Sequence, residues 1–381
     1  MGKESGMEKS PFTSHETDVI RYLDILSQPA SPFYEQNVMK AVKSICKPFL
    51  DKPSVQYYQD RFGNICVSFW NASKPHTPCL AAASHMDHPG YAIIEKDSCR
   101  LKAVINGGLP RDESLLESKA LIISPDEEVS AEITGFADDE KTSIWMVSEK
   151  EMTGNCRDLF AVPLLERFLI DPPLIRGRAM DDLVGCAIQL AVLKRLVQDN
   201  IPVDYLAVFH RAEEVGLIGA QGACSHQLIP KHAVVVSLEA SKTLEGAESG
   251  SGIVIRTGDK LYQFDPNAQH ILESAAANIS SPGFRFQKRR MDGGTCEASL
   301  YLAHGYETTA LAVPLLNYHN HGNGKLEPEA VAIFDVNTGV ELLYQSCVFL
   351  ADYKYLPRNY AIQKFESSFN EVRKYLFLMS S

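Results

Sequence analysis

The clearest structural pattern in the chain is VFHRAEEVGLIGAQGA, at residues 208–223. It begins in an apolar run, residues 203–210, that has the length of one buried strand, and it passes through two glycines into a helix of small residues. Two adjacent carboxylates, Glu213 and Glu214, therefore lie on a strand-to-helix turn. In open α/β sheets, ligands bind beside the carboxyl ends of strands. The pair is either a solvated acidic turn or one side of a cation site, since two like charges this close are most stable beside a cation.

The same placement recurs at four other points, where a His, Asp or Glu follows an apolar run or opens a helix. The residues are His85 and Asp87, Asp181 and Asp182, Glu239, and His319 and His321. Each alone has an ordinary explanation, because an acid at a helix start is usually a cap and a lone histidine is usually a hydrogen-bonded surface residue. In an alternating α/β chain, however, they indicate one shared site at the edge of the sheet. Imidazoles and carboxylates suit two divalent ions that share a bridging carboxylate, zinc above all and otherwise cobalt or manganese.

Length, charge and cysteine usage limit the class of protein. The chain has 381 residues, which favours two domains, and a net charge of −11, which argues against nucleic acid or an anionic membrane as a partner. The N-terminal residues have no apolar core, so no secretory signal is expected, and no apolar run approaches the length of a membrane span. The nine cysteines are scattered and never spaced as CxxC, which indicates reduced thiols and a cytoplasmic location.

An inserted domain is predicted where the alternation of helices and strands gives way to short β segments between acidic turns. These segments are 120–124, 129–134 and 143–147. We therefore expect a small β-barrel-like domain at residues 95–159, inserted into an α/β domain formed by residues 1–94 and 160–381. The acidic surface of the insertion is ordinarily explained by solubility, and contact between subunits is the alternative.

Helical spacing and strand alternation predict many of the other elements. The predicted helices are one capped at 13–16 and those at 35–45, 267–278 and 328–346, and the predicted strands include 55–60 and 65–69. Further strands are expected to end just before His85, Glu213, Glu239 and His319. The expected fold is therefore a mixed sheet flanked by helices.

Short motifs along the chain carry a resemblance to a known family. They are SHMDHPG, RAMDDLVG, AEEVGLIGA, SLEA, DGGTCEA and VPLLNYHN, in this order between residues 84 and 320. Their order and spacing resemble the glutamyl/tetrahedral aminopeptidase family of co-catalytic zinc metallopeptidases, over about residues 14–346. The resemblance implies a zinc-peptidase, phosphorylase/hydrolase-like fold and a two-metal exopeptidase that hydrolyses amide bonds in small peptides. It also implies a homo-oligomer, to whose assembly the inserted domain contributes.

The resemblance assigns a role to each residue of the predicted site. The residues implied as metal ligands are His85, Asp181, Glu214, Glu239 and His319. Among them Asp181 would bridge both ions, Glu239 would complete the first site and His319 the second. Asp87 would lie behind His85 and orient its imidazole ring. Glu213 would be the general base that takes a proton from the attacking water and returns it to the leaving amine.

Departures from the family pattern keep alternatives open. The family's aminopeptidases usually have Asp in place of Glu239, whereas related carboxypeptidases and N-acyl amino acid deacylases have Glu, so those activities are alternatives. The family's Asp after Gly-Gly-Thr is Cys296 here, and NYHNHG leaves His321 as a rival ligand to His319. The basic cluster 288–290 either grips a substrate carboxylate or is a solvated strand edge. A non-catalytic scaffold on a peptidase fold is a further alternative, although neither the ligands nor the base are missing.

Overall fold

The computed structural model describes residues 14–73, 79–352 and 358–375 of the chain. Its helices are α1 (Ser14–Leu26), α2 (Gln36–Cys46), α3 (Glu113–Leu116), α4 (Met180–Asp199), α5 (Ile218–Ser225), α6 (Pro266–Asn278), α7 (Glu297–Ala303), α8 (Ile333–Asp352) and α9 (Arg358–Val372). Its strands are β1 (Val55–Gln59), β2 (Ile65–Phe69), β3 (Cys79–His85), β4 (Gly90–Asp97), β5 (Arg100–Asn106), β6 (Lys119–Ile123), β7 (Glu128–Phe136), β8 (Ser143–Ser148), β9 (Phe160–Pro163), β10 (Leu169–Asp171), β11 (Leu174–Gly177), β12 (Asp204–His210), β13 (Val234–Lys242), β14 (Ile253–Gly258), β15 (Phe286–Arg290), β16 (Glu307–Leu316) and β17 (Glu329–Ala332). The capping box predicted at residues 13–16 begins outside the described residues. Within the described part of the chain, every helix is too short or too polar to cross a membrane.

The sheet of the larger domain has a parallel centre and antiparallel flanks. The strand order is β1-β2-β12-β3-β13-β16-β17-β11-β10, and β14 and β15 branch from β16. The neighbours β12, β3, β13 and β16 are parallel to one another. Parallel neighbours end at the same edge of a sheet, and the register accordingly places His210 of β12 opposite His85 of β3. The central strands therefore deliver the residues that follow them to one edge.

Helices cover both faces of this sheet, which confirms the predicted mixed sheet flanked by helices. Successive residues of a strand face opposite ways. In β3, Leu80 and Ala82 pack into the core formed with α1, α4, α6 and α8, whereas Ala81 and Ala83 pack with α5 and α7. The helix α4 is buried along most of its length, because apolar side chains occur on every side of it.

The smaller domain is a closed antiparallel barrel with the strand order β4-β5-β8-β7-β6-β9. Its strands lie within residues 90–163, a span that includes the segment predicted at 95–159. Side chains in β5 alternate between buried and more exposed, as expected for a strand with one face inside a barrel. The barrel has a core of its own, to which Leu326 of the larger domain contributes. The predicted β-barrel-like fold is therefore confirmed.

Two predicted boundaries are wrong, because strand pairing extends further than the local pattern indicates. The helix predicted at 328–346 begins only at Ile333, after the strand β17, which pairs with β11 and β16. The strand predicted to end before Glu239 continues to Lys242, because β13 pairs with β16 along its whole length. Glu239 therefore lies inside a strand rather than beyond it.

Candidate metal centre

Five segments bring acidic and histidine side chains to the carboxyl edge of the parallel strands. The positions are His85 at the end of β3, Asp181 at the start of α4, Glu213 and Glu214 between β12 and α5, Glu239 in β13, and His319 after β16. The backbone turns sharply at two of these positions, since Ala212 before Glu213 has a φ angle of 50° and both Asn317 and His319 have φ angles of 54°. Positive φ angles are costly for residues other than glycine, and they cluster at functional sites. The turns direct the side chains toward one another as soon as the strands end.

Two overlapping groups of side chains have the composition of ion sites. The ligand atoms of His85, Asp181 and Glu239 lie within 4.8 Å of one another, and so do those of Asp181, Glu214 and His319. Asp181 belongs to both groups, because its Oδ1 lies 3.4 Å from Nε2 of His85 and its Oδ2 lies 3.7 Å from Nε2 of His319. The structure therefore brings together all the residues that the resemblance implies as ligands, with one carboxylate between the two groups.

Glu213 lies beside the same atoms. Its Oε2 is 3.8 Å from Nε2 of His85, and it forms a third potential ligand group with His85 and Glu214. The side chain of Glu213 is 14% exposed, whereas that of Glu214 is 5% exposed. The implied base is thus the more accessible of the two neighbours, and the implied ligand is the more buried.

His321 does not join either group. Its Nε2 donates a hydrogen bond of 3.1 Å to the carbonyl oxygen of Gly108, in the barrel domain. The residue also forms an isolated β-bridge with Leu326, and its side chain is exposed. Of the two rival histidines, the structure places His319 in the cluster and His321 at the junction with the barrel.

The carboxylate of Asp87 holds the turn that contains the adjacent glutamates. Its Oδ1 accepts a hydrogen bond from the backbone N–H of Glu213 at 3.0 Å, and its Oδ2 accepts one from that of Glu214 at 3.1 Å. The ring of His85 is oriented differently, since its Nδ1 donates to the backbone carbonyl of Asp87 at 2.9 Å while the carboxylate lies 3.8 Å away. The backbone of Asp87 therefore fixes the ring, and its side chain shapes the glutamate turn.

The cluster contains buried carboxyl groups that the surrounding protein does not pair. Oδ1 of Asp181, Oε1 of Glu214 and Oε1 of Glu239 are buried and have no hydrogen-bond partner among the described residues. Burial raises the pKa of Glu239 to about 8 and raises the pKa of Glu214 well above its ordinary value. Unpartnered carboxylate oxygens are costly to bury unless a cation binds them. A donor set of imidazoles and carboxylates fits divalent ions such as zinc.

A cavity of about 320 Å³ opens beside the cluster, and its wall includes Arg256, Met291 and Tyr318. Arg256 is only 4% exposed, yet its guanidinium makes only long hydrogen bonds, of 3.3 Å to Oγ of Ser241 and 3.4 Å to the carbonyl oxygen of Met291. Its Nε has no hydrogen-bond partner among the described residues. A buried, weakly paired guanidinium in a cavity wall is suited to bind a ligand carboxylate. None of the motifs includes Arg256, and its signal in the sequence is a basic residue inside the apolar strand β14.

The basic cluster 288–290 lies on β15, the outer strand of the branch formed with β14. Nζ of Lys288 is 2.7 Å from Oε1 of Glu273, and Arg290 donates to the carbonyl oxygen of Asp259 at 3.1 and 3.0 Å. Both side chains are exposed. The arrangement is that of a solvated strand edge, which was one of the two interpretations of this cluster.

His210, at the end of β12, belongs to a buried network that the predicted site does not include. Its Nδ1 lies 2.7 Å from Oε1 of Glu297, and its Nε2 lies 2.7 Å from the hydroxyl oxygen of Tyr301. All three residues are fully buried. Glu297 directly follows Cys296, the position at which the family has an aspartate. A buried carboxylate is therefore present one residue later in this chain.

The chain is similar to one protein family and to several solved structures. The family model of the M42 glutamyl aminopeptidases matches residues 162–327, a segment that contains every cluster residue except His85. An aminopeptidase, APDkam598, from the archaeon Desulfurococcus kamchatkensis is 21% identical, with a TM-score of 0.73 over 89% of this chain and 96% of that chain. A TET aminopeptidase from a marine sediment Thaumarchaeota archaeon is 17% identical, with a TM-score of 0.72 over 88% and 97% of the two chains.

A third solved structure extends the likeness to a protein with a known assembly. The TET1 peptidase of Pyrococcus horikoshii, which assembles into a tetrahedron or a large octahedral shell, is 21% identical. It has a TM-score of 0.71 over 86% of this chain and 99% of that chain. At such identities the solved structures establish the fold, and the family model matches a segment that contains five of the six motifs. Together they confirm the resemblance to the glutamyl/tetrahedral aminopeptidase family that the sequence predicts.

Proposed function

We propose that the protein is a two-metal aminopeptidase, which hydrolyses the first amide bond of small peptides. The observation that carries this proposal is the pair of ligand groups that share Asp181 at the edge of the parallel strands. Sites with two ions and a bridging carboxylate are used by aminopeptidases to bind both the attacking and the leaving atoms. The family match and the aminopeptidases among the structural neighbours support the same reaction.

The proposed ions are zinc, with cobalt or manganese as alternatives. His85, Asp181 and Glu239 would hold one, and Asp181, Glu214 and His319 the other. The formal charge of two divalent ions equals that of four carboxylates, and the ligand groups contain four, with Glu213 included. Bound there, the ions would polarise the scissile carbonyl and stabilise the charge that develops on its oxygen.

Glu213 is the proposed general base. A water near its carboxylate would lose a proton to Oε2 as it attacks the carbonyl carbon, and the same oxygen would return the proton to the leaving amine. The environment suits this task, because burial raises the pKa of Glu213 well above its ordinary value. The backbone N–H of Glu213 donates to Asp87, so the base has a fixed position relative to His85.

Arg256 is the proposed determinant of the substrate side chain. It lies in the same cavity wall as the carboxylates of the cluster, and it is buried without a close partner. A substrate with an acidic first residue would place a second carboxylate against this guanidinium. We therefore propose a preference for peptides that begin with Glu or Asp. The alternative that Glu239 suggests is a carboxypeptidase or an N-acyl amino acid deacylase, whose substrates would place their terminal carboxylate against the same guanidinium, and the blocked substrates below separate a deacylase from the aminopeptidase.

The experiment compares free and blocked substrates. Purified protein loaded with zinc would be given glutamyl, leucyl and N-acetylglutamyl p-nitroanilides, together with N-acetylglutamate. We expect turnover of the glutamyl substrate with a free amine and no turnover of either acetylated compound. Faster hydrolysis of N-acetylglutamate would establish the deacylase instead. Loss of all activity with both ions bound would favour the scaffold.

We also infer self-association and a cytoplasmic location. The assembly of the structurally similar Pyrococcus horikoshii peptidase supports a homo-oligomer, and the inserted barrel is the proposed site of contact. The scattered cysteines favour a reducing compartment. The net charge of −11 favours a peptide partner over nucleic acid or an anionic membrane.

A further inference from the structure

Glu329 joins two segments that are far apart in the sequence. It opens β17, and its side chain is buried at 1% exposure. Its Oε2 accepts hydrogen bonds from the backbone N–H groups of Met180 and Asp181, at 2.8 and 3.0 Å. Its Oε1 accepts one from the backbone N–H of His319, at 2.9 Å. A single carboxylate thus contacts the main chain of two proposed ligands of the same ion.

One of the two segments has a backbone conformation that needs support from outside. His319 has a φ of 54° and a ψ of 36°, in the left-handed region, whereas Asp181 is extended, with a φ of −84° and a ψ of 109°, and interrupts the first turn of α4. Left-handed residues other than glycine are unfavourable unless their surroundings hold them. Hydrogen bonds from N–H groups to a carboxylate are roughly twice as strong as those between neutral groups. Glu329 supplies such bonds to both segments.

We propose that Glu329 is a positioning residue, which sets the separation of Asp181 and His319 and thereby the geometry of the ion site that they share with Glu214. The inference rests on the metal centre of the proposed function. Both carboxylate oxygens are already engaged by backbone amides, so Glu329 acts through the two ligands rather than as a ligand. Partners of this kind typically change metal affinity about 10- to 100-fold when they are removed.

The test measures ion binding directly. Glu329→Gln has the same shape, but its amide nitrogen cannot accept a hydrogen bond, so either Asp181 or His319 loses its partner. Metal-free protein would be titrated with zinc by calorimetry. We expect wild-type protein to bind two ions and Glu329→Gln to bind one of them about 10- to 100-fold more weakly. Titration with cobalt should show the same selective loss in the visible absorption of one site.

The chain offers a matched control six residues further along. Asp335, buried in α8, accepts hydrogen bonds from the backbone N–H groups of Gly250 and Gly252, both at 2.7 Å. Asp335→Asn removes a carboxylate clamp of the same kind from a loop that contains none of the proposed ligands. A purely structural role for Glu329 predicts that both variants lower the melting temperature while both zinc affinities remain those of the wild type.

The outcomes separate the inference from the proposed function. Wild-type affinities in folded Glu329→Gln, or an equal loss of affinity in Asp335→Asn, would overturn the inference alone. Failure of the wild type to bind zinc would overturn the inference and the proposed function together. If Glu329→Gln does not fold, Glu329→Asp takes its place. It keeps two acceptor oxygens but is one methylene too short to reach both segments, so it is expected to show the same selective loss.

Discussion

The backbone of Gly108 lies against the imidazole of His319, so closely that a β-carbon at position 108 would overlap Nδ1 of the ring. Gly108 belongs to the barrel domain, in the loop after β5, whereas His319 follows a strand of the central sheet. The barrel therefore forms part of the wall that fixes a proposed ligand, in addition to any role in assembly.

We expect Gly108→Ala to displace the ring of His319 and to lower the affinity for one zinc ion about 10- to 100-fold. Gly135→Ala is the control, because a β-carbon at position 135, also in the barrel, would have no atom within 4 Å. Calorimetric titration of the two metal-free variants measures the effect. Equal zinc affinities in the two variants would show that the contact with Gly108 has no influence on the ligand.

Replacement of Arg256 is expected to change the preference between substrates rather than the ability to hydrolyse peptides. A hydrogen-bonded charge pair contributes about 1.5–3 kcal/mol, so Arg256→Gln should lower kcat/KM for a glutamyl substrate about 10- to 100-fold relative to a leucyl one. Arg290→Gln, on the solvated strand edge, is the matched control and should leave the ratio unchanged. If kcat/KM falls by the same factor for both substrates in Arg256→Gln, the guanidinium stabilises the carboxylates of the cluster and does not bind the substrate side chain.

The metal-free protein should lose stability as the pH rises. Burial raises the pKa of Glu239 from 4.5 to about 8, so between these values the folded chain holds a proton that the unfolded chain has released. The free energy of unfolding contributed by this group is complete below the lower value and is lost as the pH rises through the upper one. Burial also raises the pKa of Glu214 well above its ordinary value. The melting temperature of metal-free protein should therefore fall between about pH 5 and about pH 8.

Zinc-loaded protein is the control for this pH dependence. The ions hold the same carboxylates in their ionised form, and binding to the folded state alone stabilises it. We expect the difference in melting temperature between loaded and metal-free protein to widen with pH. A melting temperature of the metal-free protein that stays constant or rises over this interval would contradict the raised pKa values of Glu239 and Glu214.

The proposed assembly predicts a particle mass that is a multiple of the chain mass of 42.2 kDa. Light scattering after size-exclusion chromatography measures it. We expect a large homo-oligomer, and replacement of residues 96–154 by a short linker should reduce it to a dimer or monomer. A single-chain mass for the full-length protein would exclude the assembly, and an unchanged mass after the replacement would exclude the barrel as the contact.

Much of the fold and of the cluster could be predicted from the sequence. In an α/β sheet, the residues that bind ligands lie just after the carboxyl ends of the strands, and those ends are visible in the apolar pattern. Glu213 and His85 illustrate this, since each comes after a short apolar run and lies beside the other across parallel neighbours. Strands that form by pairing with distant segments could not be predicted from the pattern of their own residues. The apolar neighbours of Glu329 predict a helix, whereas its segment is a strand that pairs with β11 and β16.

The residues that support the cluster leave weaker patterns than the cluster itself. Asp87 stands beside the proposed ligand His85, but its hydrogen bonds to Glu213 and Glu214 cross more than a hundred residues of sequence. Arg256 is an isolated charge in an apolar strand, a pattern that buried ion pairs share with ligand-binding residues. Such contacts depend on how distant segments pack against one another, and the spacing of apolar residues within one segment does not reveal this.

Glu213 is the proposed general base and Glu214 a proposed metal ligand, and this difference in role can be measured. Glu213→Gln loses proton transfer, which typically contributes about 10²–10⁴ in rate, but it keeps the ligands of both ions. Glu214→Gln replaces a charged ligand by a neutral amide, so one ion should bind more weakly and excess zinc should restore part of the activity.

The most direct test of the two-metal hydrolase is therefore the metal content of Glu213→Gln and Glu214→Gln, measured by elemental analysis alongside turnover in one buffer. We expect two ions and almost no turnover for Glu213→Gln, against a deficit of one ion and zinc-dependent turnover for Glu214→Gln. Loss of metal in Glu213→Gln with full retention in Glu214→Gln would reverse the two roles. Full metal content and full activity in both variants would contradict the two-metal mechanism itself.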